Sequence, residues 1–352
     1  MRLNTSRLFR LTIVTLVVSK TTGFNVQPVA SSRRQQRFPL PFEILSATTS
    51  PEFDIGLENI PGVDWKRPAK VNQDAWIQDE TDDFVIVGVL DGHGKLGHEV
   101  SSYFASTLPS EIKQRLQEAY PNRIPVFELE ERLKSVPELP QESDLSDDVL
   151  SLALTDSFHA VHWKAMLDPD QKPGRSGATC ITCLINKKTK ECHVAYVGDS
   201  KAILIGSGKE GSIQIVAERT TVNVPEERKR IESGEGSIRG SNVFYGPVGI
   251  AMTRALGDTV MLRAGVIPTP IVETFKLQDC DTLVLATDGI WDVLQDQEVS
   301  DTINDSFSGG AQGMAATLAT IARKKWAGDL PIMDEVKADD ITVLVLTCTD
   351  HQ

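Results

Sequence analysis

One stretch of this chain, residues 84–94 (FVIVGVLDGHG), constrains the fold more than any other. Its first seven residues are apolar or small and rich in Val, and they stand between two Asp residues and a Gly-rich turn. This pattern predicts a β-strand that is buried on both faces. At its end, Asp91 precedes glycines that let the backbone approach a ligand, so side-chain and main-chain oxygens could both bind a hard cation. A strand that ends in Asp-Gly is also an ordinary turn signal, and one such motif leaves both interpretations open.

Acidic residues recur at the ends of other predicted strands. TLVLATDGIWD runs into Asp288, ADDITVLVL begins after Asp339 and Asp340, Asp199 lies between two short strands, and AMTRALGD ends in Asp258. Carboxylates at the ends of separate strands can converge in one cleft when the strands share a sheet. Oxygen ligands of this kind suit Mg²⁺ and Mn²⁺, so the repeated pattern favours a metal site.

Seven motifs occur in an order that resembles the metal-dependent protein serine/threonine phosphatases of the type 2C (PPM) class. The resemblance covers roughly residues 70–346. The motifs are Asn72-Gln73-Asp74, Asp91-Gly92-His93-Gly94, Ser176-Gly177-Ala178-Thr179, Val197-Gly198-Asp199-Ser200, Thr253-Arg254-Ala255-Leu256-Gly257-Asp258, Asp288-Gly289-Ile290-Trp291-Asp292 and Asp339-Asp340-Ile341-Thr342.

The resemblance implies an α+β fold, with a central antiparallel β-sandwich flanked by helices on both sides (α/β/β/α). Hydrophobic patterns agree, because several short apolar strands separated by turn-like sequences are typical of antiparallel sheets covered on both faces. Strands are predicted at 178–186, 192–197, 201–205, 213–217, 271–277, 282–287 and 341–347. Helices are predicted at 97–119, kinked or split by Pro109, and at 144–167, 226–233, 297–307 and 314–326.

The resemblance also implies a metal site. In it Asp91 bridges two cations, Mn²⁺ or Mg²⁺, and the Gly92 carbonyl binds one of them. Asp288 and Asp339 complete the other, and Asp74 supports the centre through a coordinated water. Two cations about 3.5 to 4 Å apart would acidify a bridging water and neutralise charge on the phosphoryl oxygens.

Further roles follow from the same resemblance. Asp199 and Asp292 would help to hold a third, weaker cation. His93 would act as the general acid that protonates the leaving serine or threonine oxygen, although a His in a turn can simply make a local hydrogen bond. Arg67 and Lys70 are candidates for binding the substrate phosphate, with a solvated surface charge as the alternative for each.

Three positions depart from the family pattern. Gln73 stands where some members have Glu, so it is not expected to be a direct ligand. Asp340 stands where Asn is common, and its extra carboxylate could raise metal affinity or disturb the ligand geometry. The region 218–257 lacks the usual Asp-His-Lys-Pro sequence of the substrate-side flap, which leaves the substrate preference open. Asp258 could support a neighbouring site residue or be structural, and the structural role is favoured.

Composition limits the partners. The chain has 352 residues, a net charge of -13 and a pI near 5.0, which argues against a nucleic-acid surface. The expected partner is a phosphoprotein substrate, and the protein is expected to be a monomer with no stable membrane insertion after processing. The five Cys residues all lie in or beside apolar segments, and Cys180 and Cys183 should point to opposite faces of a strand. Core thiols are therefore expected, and not a zinc or redox pair.

Residues 1–42 differ from the rest of the chain, because they contain no Asp or Glu, carry several Arg residues and enclose an apolar run at 11–18. That run is too short to span a bilayer, and the segment is predicted to be a removable address. A signal peptide joined to a transit-like stretch that begins at Phe24 favours a plastid, with secretion or a mitochondrion as alternatives. Residues 43–352 would form the phosphatase domain, with an acidic insertion near 120–143.

Three functions stay open on the sequence. The first is an active protein serine/threonine phosphatase. The second is a catalytically silent module that binds a phosphoprotein, although Asp91, Asp288 and Asp339 are all present. The third is a phosphatase for small phosphorylated metabolites, which would share the metal site.

Overall fold

Two antiparallel β-sheets form the centre of the fold. The computed structural model describes residues 52–64, 66, 70–119, 149–168, 170–171, 173–207, 212–328 and 337–349. The predicted address (1–42), the predicted insertion (120–143) and Arg67 lie outside these residues. The first sheet has the strand order β1 (Phe53–Ile60), β17 (Ile341–Cys348), β15 (Thr282–Ala286), β8 (Lys201–Ile205) and β9 (Ile213–Ala217). The second has the order β13 (Leu256–Gly257), β5 (Ser176–Ala178), β4 (Phe84–Gly94), β6 (Cys180–Asn186), β7 (Glu191–Val197) and β14 (Ile271–Lys276), with β3 (Asp74–Glu80) paired to β4.

Smaller sheets and helices complete the described part. A two-stranded sheet joins β2 (Val63–Asp64) to β16 (Lys337–Ala338), and a three-stranded sheet contains β10 (Ser237–Arg239), β11 (Asn242–Tyr245) and β12 (Val248–Ile250). The helices are α1 (Gly97–Ala119), α2 (Val149–Leu167), α3 (Pro225–Ser233), the single turn α4 (Asp288–Trp291), α5 (Asp296–Ser306) and α6 (Gly310–Ala327). None of the helices in the described ranges is long and apolar enough to cross a membrane.

Three apolar layers stack in the order that the fold class predicts. One layer, with Val87 and Leu344, fills the space between the two sheets. A second packs α1 and α2 on the outer face of the seven-stranded sheet, and a third packs α5 and α6 on the outer face of the five-stranded sheet. The predicted α/β/β/α sandwich is therefore confirmed. The apolar run predicted as a strand is the first part of β4, buried from Phe84 to Leu90, and the residues predicted as a Gly-rich turn continue the strand to Gly94.

Of the two effects predicted for Pro109, the split is wrong, because α1 runs unbroken from Gly97 to Ala119, and the kink stays a prediction. Pro109 lacks the N–H that would bond to the fourth preceding carbonyl, a defect worth about 3 kcal/mol. Phe104, Leu108 and Ile112 are fully buried against the sheet. Each such side chain contributes about 1.5 to 3 kcal/mol, so the packing outweighs the missing bond.

The single strand predicted for residues 178–186 is also wrong, because Thr179 separates β5 from β6. The structure contains strands that the sequence patterns did not predict: β1, β3 and the three strands β10–β12. Of the second predicted helix (144–167), the described part begins at Val149.

The five cysteines are free thiols, as predicted. Cys183 packs in the layer between the sheets, whereas Cys180 packs in the layer under α1 and α2. The two side chains therefore point to opposite faces of β6.

A buried ionic cluster ties α3 to the segment that precedes β13. Glu227 is 2% exposed, and its carboxylate accepts hydrogen bonds from Arg230, Arg254 and Thr253. Burial alone would raise the pKa of Glu227, but the hydrogen bonds from Arg230 and Arg254 overcome it and lower the pKa to about 2.

Replacing Glu227 with Gln is expected to lower the free energy of unfolding by about 3 kcal/mol, because two guanidinium groups lose their buried partner. Urea unfolding at pH 7 measures this loss. The stability from Glu227 is present above pH 4.5, its unfolded value, and is lost as the pH falls from there towards about 2. Glu226→Gln, on the exposed side of the same turn, is the matched control. Equal stability of the two variants would contradict the prediction.

Candidate active site

Asp91 is held by its backbone where β4 changes partner. β4 pairs with β6 as far as Val89 and with β5 from Gly92 onward. Between these pairings, the Asp91 N–H donates to Thr179 Oγ1 at 2.9 Å, and the Thr179 N–H donates to the Asp91 carbonyl at 2.9 Å. A Cβ on Gly92 would lie 2.4 Å from the Gln73 carbonyl oxygen, so only Gly fits this close approach. The Asp91 side chain is thereby left to face a cavity.

Asp74 lies opposite Asp91 in the β3–β4 register and connects the two sheets. Its Oδ2 accepts hydrogen bonds from Thr287 Oγ1 at 2.9 Å and Thr342 Oγ1 at 2.7 Å. Its Oδ1 is buried and has no hydrogen-bond partner in the described part of the chain. A buried carboxylate oxygen without a partner is costly and indicates a place for a water or cation.

Five carboxylates influence one another across this site. Burial raises the pKa of Asp91 well above its usual range, and the charges of Asp288, Asp74, Asp199 and Asp339 raise it further. Burial and the neighbouring carboxylates likewise raise the pKa of Asp288 to about 7 and that of Asp74 to about 8. The concentration of negative charge is therefore unfavourable without a cation.

Four of these five carboxylates, all except Asp74, line a cavity of about 830 Å³, which is within the range of ligand pockets. The predicted site residues that line it are Lys70, Asp91, Gly92, His93, Asp199, Asp288 and Asp339. Asp292 does not line it; its carboxylate accepts a hydrogen bond from Arg219 at 2.9 Å. Asp292 is still close enough for its charge to raise the pKa of Asp199 and Asp288.

Lys70 binds the carboxylates at the start of β17. Its Nζ lies 2.8 Å from Asp339 Oδ1 and 3.3 Å from Asp340 Oδ1. Asp340 is buried and also accepts hydrogen bonds from the N–H groups of Gly62 and Gln73, at 2.6 and 3.0 Å. The extra carboxylate at 340 therefore anchors two backbone segments beside the site, a role that the sequence did not indicate.

His93 pairs with Asp258, which lies 165 residues further along the chain. His93 Nε2 is 2.5 Å from Asp258 Oδ2, and Asp258 is 1% exposed. Burial alone would lower the pKa of His93, but the Asp258 carboxylate outweighs it and the pKa is raised. A Cβ on Gly177 would lie 2.2 Å from Asp258 Oδ2, so Gly177 makes the room for this carboxylate.

The side chains fit hard divalent cations by chemistry. The donors are carboxylate oxygens with the Gly92 carbonyl beside them, and one of them, Asp74 Oδ1, is buried without a partner. In the described ranges, no three His, Cys, Asp or Glu side chains are arranged closely enough to form a ready metal site.

The metal-free protein is expected to lose stability as the pH rises from about 4 to about 8. Asp74 and Asp288 have raised folded pKa values, about 8 and about 7, so the stability present below their unfolded value of 3.8 is lost as the pH rises through the folded values. Thermal unfolding with a chelator measures the loss. Asp74→Asn should flatten the pH dependence, whereas the exposed Asp305→Asn should not. A pH dependence unchanged in Asp74→Asn would contradict the prediction.

A family model described as "Protein phosphatase 2C" matches residues 66–329, a range that includes Asp74, Asp91, Asp199 and Asp288 and ends before Asp339. The chain belongs to the protein phosphatase 2C family. Among curated relatives, probable protein phosphatase 2C 52 of Arabidopsis thaliana is 31% identical over 78% of this chain and 62% of its own length. Probable protein phosphatase 2C 72 of the same plant is 32% identical over 76% of this chain and 77% of its own length. The chain thus spans less than two thirds of the length of the first of these protein phosphatase 2C relatives.

Solved structures share the protein phosphatase 2C fold. A serine-threonine phosphatase 2C from Toxoplasma gondii superposes with a TM-score of 0.67 at 19% identity, covering 86% of this chain and 97% of its own. A sex-determining protein of C. elegans gives a TM-score of 0.63 at 19% identity, covering 86% and 66% of the two chains.

Sequence reasoning did not single out the threonines of the site. Thr179 fixes the Asp91 backbone, and Thr287 and Thr342 hold Asp74. Each lies within or next to one of the seven motifs, which is the signal that could have found them. The pairing of His93 with Asp258 had no local signal, and of the two roles considered for Asp258 the structural one was favoured over support of a site residue.

Proposed function

We propose that this chain is a metal-dependent phosphatase that hydrolyses phosphoserine and phosphothreonine in proteins. The observation that carries the proposal is the convergence of four acidic segments on Asp91, beside a His–Asp pair and inside one cavity. Membership of the protein phosphatase 2C family supports the same activity.

The residues proposed to hold two cations, Mn²⁺ or Mg²⁺, are Asp91, the Gly92 carbonyl, Asp288 and Asp339. Asp74 would act through water, and Asp199 and Asp292 would serve a third, weaker cation. When bound, such cations lower the pKa of water and neutralise charge on phosphoryl oxygens.

His93 is proposed to give a proton to the leaving oxygen. In this conformation Nε2 faces Asp258 and Nδ1 is buried without a partner among the described residues, so the ring must turn before a nitrogen can reach a substrate. The Asp258 carboxylate raises the pKa of His93, and this favours the protonated ring that a general acid requires. Lys70 is proposed to bind the substrate phosphate once Asp339 turns towards a cation. Arg67 stays a second candidate for that role.

The test is hydrolysis of a phosphothreonine peptide by the full chain with Mn²⁺, Mg²⁺ or chelator. Turnover that requires a divalent cation would support the proposal, and turnover equal in chelator would contradict it. Parallel assays with small phosphorylated metabolites separate a protein phosphatase from a metabolite phosphatase. Higher kcat/KM for the metabolites would favour the latter.

One observation favours a second candidate, a silent phosphoprotein-binding module. The Lys70 ammonium already forms ion pairs with Asp339 and Asp340, so a metal cation would have to compete with it for these carboxylates. Calorimetric titration with Mn²⁺ distinguishes the candidates. Binding of phosphopeptide without Mn²⁺ binding or turnover would support the silent module.

We propose that residues 1–42 direct the protein to a plastid, on the composition of that segment alone. These residues fused to a fluorescent protein should label the plastid of an alga with a secondary plastid. Secretion or mitochondrial labelling would contradict the proposal, and Arg→Ala changes within the segment are the matched controls.

A further inference from the structure

Three basic side chains at the mouth of the cavity have no acidic partner among the described residues. Elsewhere most have acidic partners, such as Lys113 with Asp79 and Lys201 with Asp296. Lys95, Arg175 and Lys337 line the cavity, are exposed, and have no ion pair or hydrogen bond from their side chains to any described residue. We call these three the rim cations.

Two of the rim cations are held close together by the backbone. The β4–β5 register ends at the pair Gly94 and Ser176, so Lys95 follows and Arg175 precedes the last pair. The Arg175 carbonyl oxygen lies 2.4 Å from where a Gly94 Cβ would be, and the Leu96 N–H donates to Ser176 Oγ at 3.0 Å. Like charges at neighbouring positions of two strands repel and are unfavourable without an anion.

The third rim cation, Lys337, belongs to a different sheet from the strands that position the other two. Lys337 lies in β16, two residues before Asp339, and is opposite Asp64 in the β2–β16 pair without forming an ion pair with it. Along the sequence, rim cations therefore stand close to two residues of the carboxylate centre, since Lys95 follows Asp91 and Lys337 precedes Asp339.

The chain's net charge makes this arrangement unusual. With a charge of -13, the protein repels acidic ligands overall, and its centre holds five carboxylates. Cations left unpaired at the cavity of such a protein offset that repulsion locally and steer anions to it.

We infer that the rim cations bind acidic residues, Asp, Glu or a second phosphorylated residue, that flank the phosphorylated residue of a substrate. This inference rests on the proposed phosphatase function and specifies the substrate class of the same cavity. Each contact is an exposed ion pair, so the preference arises from several weak contacts and falls with added salt.

The experiment compares two phosphothreonine peptides that differ only in Glu or Gln at the flanking positions. Fluorescence anisotropy with the full chain in chelator gives Kd for each, and steady-state assays with Mn²⁺ give kcat/KM. The wild-type protein should favour the Glu peptide by about tenfold in both quantities at low salt. Lys95→Gln/Arg175→Gln should reduce that ratio to about twofold or less. The control Lys188→Gln/Lys229→Gln removes the same charge from exposed positions away from the cavity and should keep the full ratio.

Equal Kd values of the wild-type protein for the two peptides would overturn the inference, as would an unchanged ratio in the Lys95→Gln/Arg175→Gln variant. Because binding is measured without turnover, the inference and the proposed function fail separately. If the protein hydrolyses neither peptide but binds the Glu peptide more tightly, the inference about the rim cations is supported and the proposed phosphatase activity is contradicted.

Discussion

Replacing Asp91 with Asn is expected to lower kcat/KM for a phosphothreonine peptide by at least about a thousandfold. Asn keeps the size of the side chain and the backbone bonds to Thr179, but it removes the charge at the centre of the carboxylate cluster. Loss of about 4 kcal/mol of transition-state stabilisation corresponds to this factor. Asp288→Asn and Asp339→Asn should have similar effects, since each removes one charged oxygen ligand from the same centre.

The Asp91→Asn variant also tests whether the carboxylate cluster lowers the stability of the metal-free protein. Without metal it should be at least as thermally stable as the wild-type protein, because the variant lacks one of the mutually repelling carboxylates. Asp305→Asn, on the exposed surface of α5, is the matched control and should leave turnover unchanged. Full activity in all three cluster variants, with unchanged metal dependence, would show that the cluster is not the metal site.

Replacing His93 with Gln is expected to lower kcat for phosphothreonine peptides by about a hundredfold to ten thousandfold. The loss should be much smaller for an aryl phosphate, whose leaving group departs without a proton. Steady-state rates for the two substrates in the same variant measure the difference. A His that only supports the fold would lower both rates alike, and that result would contradict the general-acid role.

Asp258→Asn extends this test to the partner of His93. The variant keeps a hydrogen-bond acceptor for Nε2 but loses the charge that raises the pKa of the ring. It should therefore reproduce part of the His93→Gln selectivity for the leaving group. Gln297→Glu, an exposed change of charge on α5, is the control and should leave the ratio of the two rates unaltered.

The sequence predicted those parts of the fold whose signals are local. β8 has the predicted bounds, and β4 begins at the predicted Phe84, because each is a nearly continuous apolar run. β4 runs on to Gly94, past the predicted turn, because Gly92–Gly94 pair with β5. β1 and β3 were missed because they carry several polar residues and rely on cross-strand partners, β17 and β4. The break at Thr179 was missed for a related reason: it exists because β4 changes partner there, and not because of any residue preference in β5 or β6.

The candidate site likewise has features with a local sequence signal and features without one. The motif positions that converge on the cavity, among them Asp91, Asp288 and Asp339, were identified from strand ends and their resemblance to the family. The sequence did not identify the ion pair of Lys70 with Asp339 or the anchoring role of Asp340, because these contacts join segments about 270 residues apart. Contacts over such separations leave no periodic signal in a single sequence.

The pairing of β1 with β17 has a consequence for the order in which the protein can fold. Phe53 is opposite Cys348 and Ile60 is opposite Ile341, so the first and last described strands complete one sheet together. The five-stranded sheet cannot close until the ribosome, or a translocation pore, has released the C-terminal strand. Asp339, at the entrance to that strand, reaches the cluster only in this late step. A chain that crosses a membrane through a pore would therefore lack a complete catalytic centre until its C-terminal strand has passed through.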